Sequence, residues 1–298
     1  MTSSYRLRAV ALSFAAAGFA GLSVLGAAWA GDETYDTSRV VSVGGSLTEI
    51  VYALREEGRL AARDSTSVFP PEALELPDIG YMRALSPEGV LSINPSVILL
   101  LEGSGPPEAL EVLEKASVPL VKVPEKFDRA GILEKIEIVG DVLDVEDKAA
   151  KLAADVAAEI DAAQAATADV KDRKKVLFVL SLQGGRVLAS GTGTAADGII
   201  AMAGGVNAVT AYPGYKQLSD EAIIEAAPDV ILAMDRGGDH DTQIDQLLEH
   251  PAIAATPAAA DRKVVRMDGA FLLGFGPRTA AAARELATAL YGDTIGAH

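Results

Sequence analysis

A tyrosine and an arginine stand two residues apart in GYMRALSPEG, residues 80–89. In an extended segment, residues i and i+2 project to the same side, so Tyr81 and Arg83 can point together while Met82 turns away. A phenolate is a hard anionic ligand suited to ferric iron, and a neighbouring guanidinium favours the phenolate. Tyrosine is also a recognised axial ligand of haem. Two roles are open for Tyr81: a packing residue, or a ligand to iron or haem.

Other chemistries find little support in the residue types. The chain has no cysteine, which excludes thiolate metal sites and thiol catalysis, and it has three histidines, His240, His250 and His298, none with an i+4 partner. A histidine-rich zinc or manganese site is therefore not expected. The glycine-rich segment 188–209 lacks both nucleotide-binding spacings, and no G-x-S-x-G elbow occurs. The sequence therefore favours a binding protein over an enzyme.

The amino-terminal residues predict export. Arg6 and Arg8 precede an apolar run that ends in Ala28-Trp29-Ala30, the pattern of a secretory signal peptide cut after about Ala30. Without cysteine there is no site for lipid attachment, so we expect a free protein in an exported compartment, and the bacterial periplasm fits best. The formal net charge of −16 argues against binding to nucleic acid or anionic lipid.

The elements around Tyr81 predict an α/β region. Strands at 39–43, 97–101 and 119–123 alternate with helices, which favours a parallel sheet. The helix after the first strand is predicted to have Ser46 as its N-cap, with Glu49 completing a capping box.

An Ala-rich stretch then predicts long helices, and a strand at 175–181 begins a second α/β region. The predicted organisation is a signal peptide at 1–30, an amino-terminal α/β lobe at 36–128, a bridging helical segment at 129–171 and a carboxyl-terminal α/β lobe at 174–298.

The two lobes contain a repeat. LSPEGVLSINPSVILL at 85–100 aligns without gaps on LSDEAIIEAAPDVILA at 218–233, and a Gly-Tyr pair precedes each copy. Glu88 and Glu221 occupy equal positions, each in the first turn of a helix. Acids there interact favourably with the helix dipole, which explains them without a further role. The alternative is that the two carboxylates are docking points for a partner with two basic sockets.

The chain resembles the periplasmic hemin-binding proteins of ABC transporters, within the helix-bridged class that also carries siderophores and cobalamin. The resemblance covers nearly the whole mature chain. It is carried by RVVSVGGSLTEIVYAL, DIGYMRALSPEGVLSINPSVILLLEGSGPP, ASGTGTAADGIIAMAGGVNAV, YPGYKQLSDEAI and DGAFLLGFGPR. The stretches around GYMRALSPEG and EGSGPP favour the haem branch.

This resemblance implies two Rossmann-like lobes joined by a long bridging α-helix, with a ligand cleft between them. It implies that Tyr81 is the axial ligand to ferric haem and that Arg83 is its hydrogen-bonding partner. The facing wall, or the groups that hold the haem propionates, would come from four candidates: Tyr212, Tyr215, Lys216 and Arg186. Some members use a second haem or a histidine from the second lobe, and no histidine lies near the matching loops here.

The resemblance also implies a place in haem import. The protein would capture haem downstream of an outer-membrane haem receptor system and deliver it to a membrane ABC permease dimer with its ATPase. Glu88 and Glu221 would dock onto arginines of that permease. A carrier of ferric siderophore or cobalamin on the same fold is the alternative.

Overall fold

The computed structural model describes residues 34–235, 244–292 and 295. The predicted signal peptide at 1–30 lies outside the described residues, as do His240 and His298. The described residues from Thr34 onward belong to one compact unit. Among the described helices, none is both long enough and apolar enough to cross a membrane.

The first lobe is a four-stranded parallel sheet covered by helices. The strands are β1 (Val40–Val43), β2 (Leu60–Arg63), β3 (Val97–Leu101) and β4 (Leu120–Val123), and the helices are α1 (Gly45–Ala53), α2 (Pro87–Ser92) and α3 (Pro107–Glu114). The strands lie in the order β2-β1-β3-β4. Strand β3 coincides with the predicted strand at 97–101 and is buried along its whole length, as expected for a strand with helices on both faces.

The prediction that Ser46 caps the first helix is wrong. The N-cap of α1 is Gly44, which has φ 121° and makes no side-chain capping bond. A Cβ at Gly44 would lie 2.6 Å from the Cβ of Leu101, so the close approach of β3 leaves room only for glycine. Ser46 is buried inside the helix, and Glu49 hydrogen-bonds with Arg278 instead of completing a capping box.

The bridging segment consists of two helices, α4 (Arg129–Val142) and α5 (Glu146–Ala165). Helix α4 ends just after Gly140 and Asp141, and α5 is one uninterrupted helix of 20 residues, about 30 Å long. Helix α4 contacts α1 of the first lobe, and it packs along α5 where Gly140 leaves no space for a Cβ against Ala149. The bridging helices therefore begin on the first lobe.

The second lobe is a mixed sheet with helices. The strands are β5 (Lys175–Gln183), β6 (Arg186–Ser190), β7 (Val206–Asn207), β8 (Tyr215–Gln217), β9 (Val230–Asp235) and β10 (Val264–Asp268). The helices are α6 (Ala195–Met202), α7 (Asp220–Ala226), α8 (Ile244–Glu249), α9 (Pro251–Ala254), α10 (Pro257–Ala260), α11 (Gly269–Leu273) and α12 (Thr279–Tyr291).

The strands of this sheet lie in the order β10-β9-β5-β6-β8, with the short β7 paired to β5. Strands β5, β9 and β10 are parallel. Strand β6 is antiparallel to β5, because a two-glycine turn at 184–185 reverses the chain, and it is also antiparallel to β8. Helices α6 and α12 contact α5.

The sequence repeat is also a structural repeat. Helices α2 and α7 begin at aligned positions, and so do the strands β3 and β9 that follow them. In each copy a serine caps the helix: Ser86 Oγ accepts a hydrogen bond from Gly89 N at 3.3 Å, and Ser219 Oγ accepts one from Ala222 N at 3.2 Å. The two lobes therefore present equivalent helices.

One hydrophobic core extends through both lobes. It includes the first sheet, the inner faces of α4 and α5, and residues of α6 and α12, while a second cluster lies on the other face of the second sheet. Buried residues on α5 recur every three or four positions, which gives the helix a single apolar stripe. This continuous core opposes large movements of one lobe relative to the other.

Replacing Gly44 with alanine is expected to lower the free energy of unfolding by about 2–4 kcal/mol, since it adds backbone strain and a steric clash with Leu101. Gly58→Ala is the matched control, because no atom lies within 4 Å of the Cβ that it would add. That variant should change stability by less than about 1 kcal/mol. Urea unfolding curves measure both, and equal stability of the two variants would contradict the prediction.

Candidate functional site

The side chains of Tyr81 and Arg83 lie together at the surface of the first lobe. Arg83 Nη1 donates a hydrogen bond to the Tyr81 hydroxyl oxygen at 3.0 Å. Tyr81 is 44% exposed, whereas Met82 between them is 7% exposed and belongs to the core. The spacing of the two residues predicts this arrangement. It leaves the phenol oxygen accessible and next to a cation.

Backbone hydrogen bonds on two sides hold this loop in place. On one side, Ser65 N donates to Gly80 O at 2.9 Å. On the other, Gly105 N donates to Met82 O and Leu85 N donates to Gly105 O, both at 2.9 Å. Gly105 belongs to the EGSGPP stretch after β3, so the two most specific sequence motifs are directly joined. The Tyr81 loop is therefore braced by its neighbours rather than free.

A buried ion pair lies beside this loop. Lys135 of α4 is fully buried, and its Nζ lies 2.6 Å from Glu125 Oε1. Burial raises the pKa of Glu125 and lowers the pKa of Lys135, and the attraction between the two charges opposes both shifts. The Arg83 cation also acts to lower the pKa of Glu125. Sequence analysis missed this pair because its two members come from different elements and the lysine lies in an ordinary helical pattern.

Tyr215 lies at the start of β8 in the second lobe. It is 38% exposed, and its ring stands edge-on to Phe178 with centroids 6.3 Å apart. Burial raises the pKa of Tyr215, whereas hydrogen bonds at the start of α6 and the positive charge of Arg83 lower it. Because Arg83 belongs to the first lobe, its effect on the pKa of Tyr215 indicates that the Tyr81 loop and the Tyr215 strand lie near each other.

The other three candidates for the facing wall differ in position. Tyr212 is half-buried, with its hydroxyl 3.3 Å from Ala189 O, and Lys216 Nζ lies 5.1 Å from the centre of the Tyr212 ring. These two residues adjoin Tyr215. Arg186 lies at the tip of the β5–β6 hairpin, and within the described residues no hydrogen bond or ion pair joins its side chain to Tyr81, Arg83 or Tyr215. The structure therefore groups Tyr212 and Lys216 with Tyr215 but not Arg186.

Apolar side chains extend the exposed surface near Tyr81. Val68 and Phe69 are 41% and 37% exposed, on the loop that follows β2 and adjoins the Tyr81 loop. Neither residue was expected from the sequence, although a Val-Phe pair directly after the polar residues 64–67 is the signal that could have found them. Tyr81 offers a single oxygen donor here, and among the described residues no group of three or more His, Cys, Asp or Glu side chains forms a metal site. The arrangement suits an apolar ligand with one coordination position.

Glu88 and Glu221 are exposed in the first turns of α2 and α7. The backbone N–H of Glu221 itself and the hydroxyl of Ser219 lower the pKa of the Glu221 carboxyl. These two carboxylates lie one on each lobe, at the aligned positions of the structural repeat. They are available to a partner that contacts both lobes.

Comparison with known proteins places the chain in a family. A family model described as a periplasmic binding protein matches residues 40–270. The solved structure of BhuT, a periplasmic heme-binding protein in complex with two hemes, matches with a TM-score of 0.81 and 39% identity, over 86% of this chain and 98% of BhuT.

Two curated proteins are more distant relatives. The uncharacterised ABC transporter substrate-binding lipoprotein YvrC of Bacillus subtilis (strain 168) is 24% identical over 263 residues, which cover 87% of this chain and 82% of YvrC. A vitamin B12-binding protein of Vibrio parahaemolyticus is 27% identical over 199 residues, which cover 65% of this chain and 69% of that protein. Together with two α/β lobes bridged by long helices, the match over residues 40–270 leads to one conclusion: the chain belongs to the periplasmic binding protein family.

Proposed function

We propose that this protein captures ferric haem in the periplasm and delivers it to an ABC permease for import. The observation that carries the proposal is the exposed Tyr81 residue, whose phenol oxygen accepts a hydrogen bond from Arg83. The charge of Arg83 also acts on Tyr215 of the other lobe. The 39% identity to a heme-binding protein along almost its full length supports haem as the cargo. The signal peptide, cut after about Ala30 and without lipid attachment, supplies the export.

The residues of the site have different roles in binding haem. The Tyr81 phenolate binds the iron from one face, and ferric porphyrin carries a net positive charge at the metal that favours an anionic oxygen ligand. Arg83 donates its hydrogen bond to the same oxygen, which stabilises the anionic form of the phenol. Tyr215, with Tyr212 and Lys216 beside it, forms the facing wall. Arg186, at the hairpin tip, is the outermost candidate for a propionate.

Burial of the porphyrin supplies most of the binding energy. Apolar surface around the site is exposed on four side chains: Val68, Phe69, Tyr81 and Tyr215. Burying several hundred Å² at roughly 25 cal/mol per Å² gives on the order of 10 kcal/mol before the costs of association are deducted. The iron bond to Tyr81 then distinguishes haem from an iron-free porphyrin. Haem is bound and released unchanged, so the protein acts as a carrier and not as an enzyme.

Cobalamin is the second candidate ligand, because a vitamin B12-binding protein is among the relatives. Cobalamin is bulkier than haem and carries its own lower axial base, so it has less need of a phenolate ligand. The Tyr81–Arg83 pair therefore favours haem. Ferric siderophores are a third class that the same fold can carry.

Replacing Tyr81 with phenylalanine should remove the Soret band that hemin acquires with a phenolate ligand in the wild-type protein and leave the band of hemin that lacks this ligand. Phe keeps the ring but removes the oxygen, so affinity should fall by roughly 100-fold, equivalent to about 3 kcal/mol. Absorption titration with hemin, cyanocobalamin and iron-free protoporphyrin IX measures the effect and the selectivity.

Tyr52→Phe is the matched control, because Tyr52 is a half-buried tyrosine near the carboxyl end of α1. It should titrate like wild type. A wild-type spectrum in Tyr81→Phe would refute the ligand role, and a saturable response to cyanocobalamin with none to hemin would establish the second candidate.

Delivery uses Glu88 and Glu221 as paired docking points for arginines on the permease dimer, which works with its ATPase. The structural repeat supports this role, because one carboxylate per lobe matches a partner built from two subunits. Upstream, an outer-membrane haem receptor system would supply the cargo.

Replacing both carboxylates, Glu88→Ala with Glu221→Ala, should leave hemin titration unchanged and reduce haem import through the cognate permease at least roughly tenfold, because two interfacial ion pairs are lost. Growth on haem as the iron source and uptake of labelled hemin measure import. The control is Glu108→Ala with Glu285→Ala, which removes two exposed acids from α3 and α12. Wild-type import in the Glu88 and Glu221 double variant would refute docking at these positions.

A further inference from the structure

The motif GFGPR at 274–278 brings the second lobe into direct contact with the first. Arg278 is the N-cap residue of α12, and its Nε donates a hydrogen bond to Glu49 Oε2 at 3.0 Å while its Nη2 donates to Glu49 Oε1. Glu49 lies on α1 of the first lobe, and its side chain is only 9% exposed. This two-point geometry between guanidinium and carboxylate is both strong and directional.

The same guanidinium also lies close to aromatic rings of both lobes. Arg278 Cζ lies 3.6 Å from the ring centre of Phe69 in the first lobe and 5.2 Å from that of Phe271 in the second. Arg278 therefore binds Glu49 and contacts a ring from each lobe. Guanidinium groups stack favourably on aromatic rings, which makes arginine difficult to replace by lysine here. We call these four residues the interlobe clamp: Glu49, Phe69, Phe271 and Arg278.

The chain just before Arg278 is shaped for this contact. A Cβ added to Gly276 would lie 3.3 Å from the Cβ of Ser46 on α1, so the backbone approaches the first lobe closely. Phe275 has φ 46°, a left-handed conformation that is rare for a bulky residue, and its side chain is 1% exposed. Its ring stands edge-on to Phe127 with centroids 5.3 Å apart. Backbone strain at Phe275 is tolerated where it directs the motif toward the first lobe.

The clamp adds a second connection between lobes that the bridging helices already join. Arg284 of α12 lies 3.8 Å from Glu159 of α5, and Lys148 of α5 pairs with Glu56 of the first lobe. The continuous core already opposes large movements of the lobes. The two-point contact between Arg278 and Glu49 is directional, so it narrows the smaller movements that remain.

We propose that the interlobe clamp sets the opening of the cleft before any ligand arrives, and that Arg278 is the positioning residue on which it depends. The exposed part of Phe69 then forms an edge of the cleft whose position is fixed by Arg278 behind it. The effect of the clamp on haem retention rests on the function proposed above, whereas the fixed opening of the cleft does not.

The burial of Glu49 supports a dependence on Arg278. Burial raises the pKa of the Glu49 carboxyl, and the hydrogen bonds and charge of Arg278 act against that shift, as does the charge of Lys135, while Asp268 adds to it. If Arg278 loses its two donor groups, the buried Glu49 carboxylate is left without hydrogen-bond partners, which raises the free energy of the folded protein.

The clamp can be tested in haem-free protein by measuring the distance between the lobes. The chain has no cysteine, so Glu108→Cys on α3 and Glu225→Cys on α7 introduce two unique, exposed sites for spin labels. Double electron–electron resonance should give one narrow distance distribution for the otherwise unchanged protein. Arg278→Lys, which keeps the charge but loses the fork and the flat face, should broaden it, and Phe69→Leu should broaden it less.

The control variant is Arg262→Lys, because Arg262 pairs with Asp245 at 3.0 Å entirely within the second lobe. It should keep the narrow distribution. Thermal unfolding checks that each variant is folded. Should Arg278→Lys not fold, Glu49→Gln, which keeps one acceptor oxygen, takes its place. An unchanged distribution in a folded clamp variant would overturn the proposal.

Hemin binding separates this proposal from the proposed function. In Arg278→Lys the Soret position should match wild type because Tyr81 is intact, while hemin transfer to excess apomyoglobin should be roughly tenfold faster, equivalent to about 1.4 kcal/mol. Failure of the wild-type protein to bind hemin would refute the proposed function, and the distance measurement would still decide the clamp. Hemin transfer at the wild-type rate, with a broadened distribution, would refute the link from cleft opening to retention.

Discussion

Two backbone hydrogen bonds between Gly105 and the Tyr81 loop determine where the phenol points. They join Gly105 to Met82 and Leu85, and so tie the loop before α2 to the loop after β3. Because the carboxyl ends of parallel strands meet at one edge of a sheet, segments far apart in sequence converge there. Met82 is anchored in the core, and the alternation of side chains then exposes both Tyr81 and Arg83. Without this brace, a phenol on a surface loop would sample many positions, and the geometry needed for an axial ligand would not be preformed.

The features that the sequence predicted well are those encoded locally. Tyr81 and Arg83 are two residues apart, and each copy of the repeat contains within itself the residues that form its helix and its strand. The helices and strands of the repeat accordingly begin at aligned positions. The features that it missed depend on contacts between distant segments. Gly44 became the N-cap because Leu101, from another strand, leaves no space for a side chain.

The buried ion pairs are a second feature that local sequence patterns could not predict. Lys135 lies in a helical pattern that resembles a solvent-facing turn, yet it is fully buried against Glu125. Glu49 follows Ser46 at the spacing of a capping box, yet its partner is Arg278, 229 residues away. Nothing within either segment distinguishes a buried ion pair from an exposed charge. The network around the cleft therefore had to come from the structure.

The role of these buried ion pairs is better explained by the relative positions that they impose on the elements they join than by a gain in folding stability. Removing two charges from water costs about as much as their attraction returns, so an apolar pair of similar size would serve stability equally well. An ion pair with a two-point fork, however, accepts only one relative position of its partners. Glu125–Lys135 links α4 to the loop after β4, and Glu49–Arg278 links the two lobes. A carrier whose ligand is flat and rigid gains from a slot of constant width, because little energy is then spent on closing it. Under the proposed docking, the same constancy would fix the separation of Glu88 and Glu221, so the spacing offered to a permease dimer would be a property of the fold and would change little with the cargo.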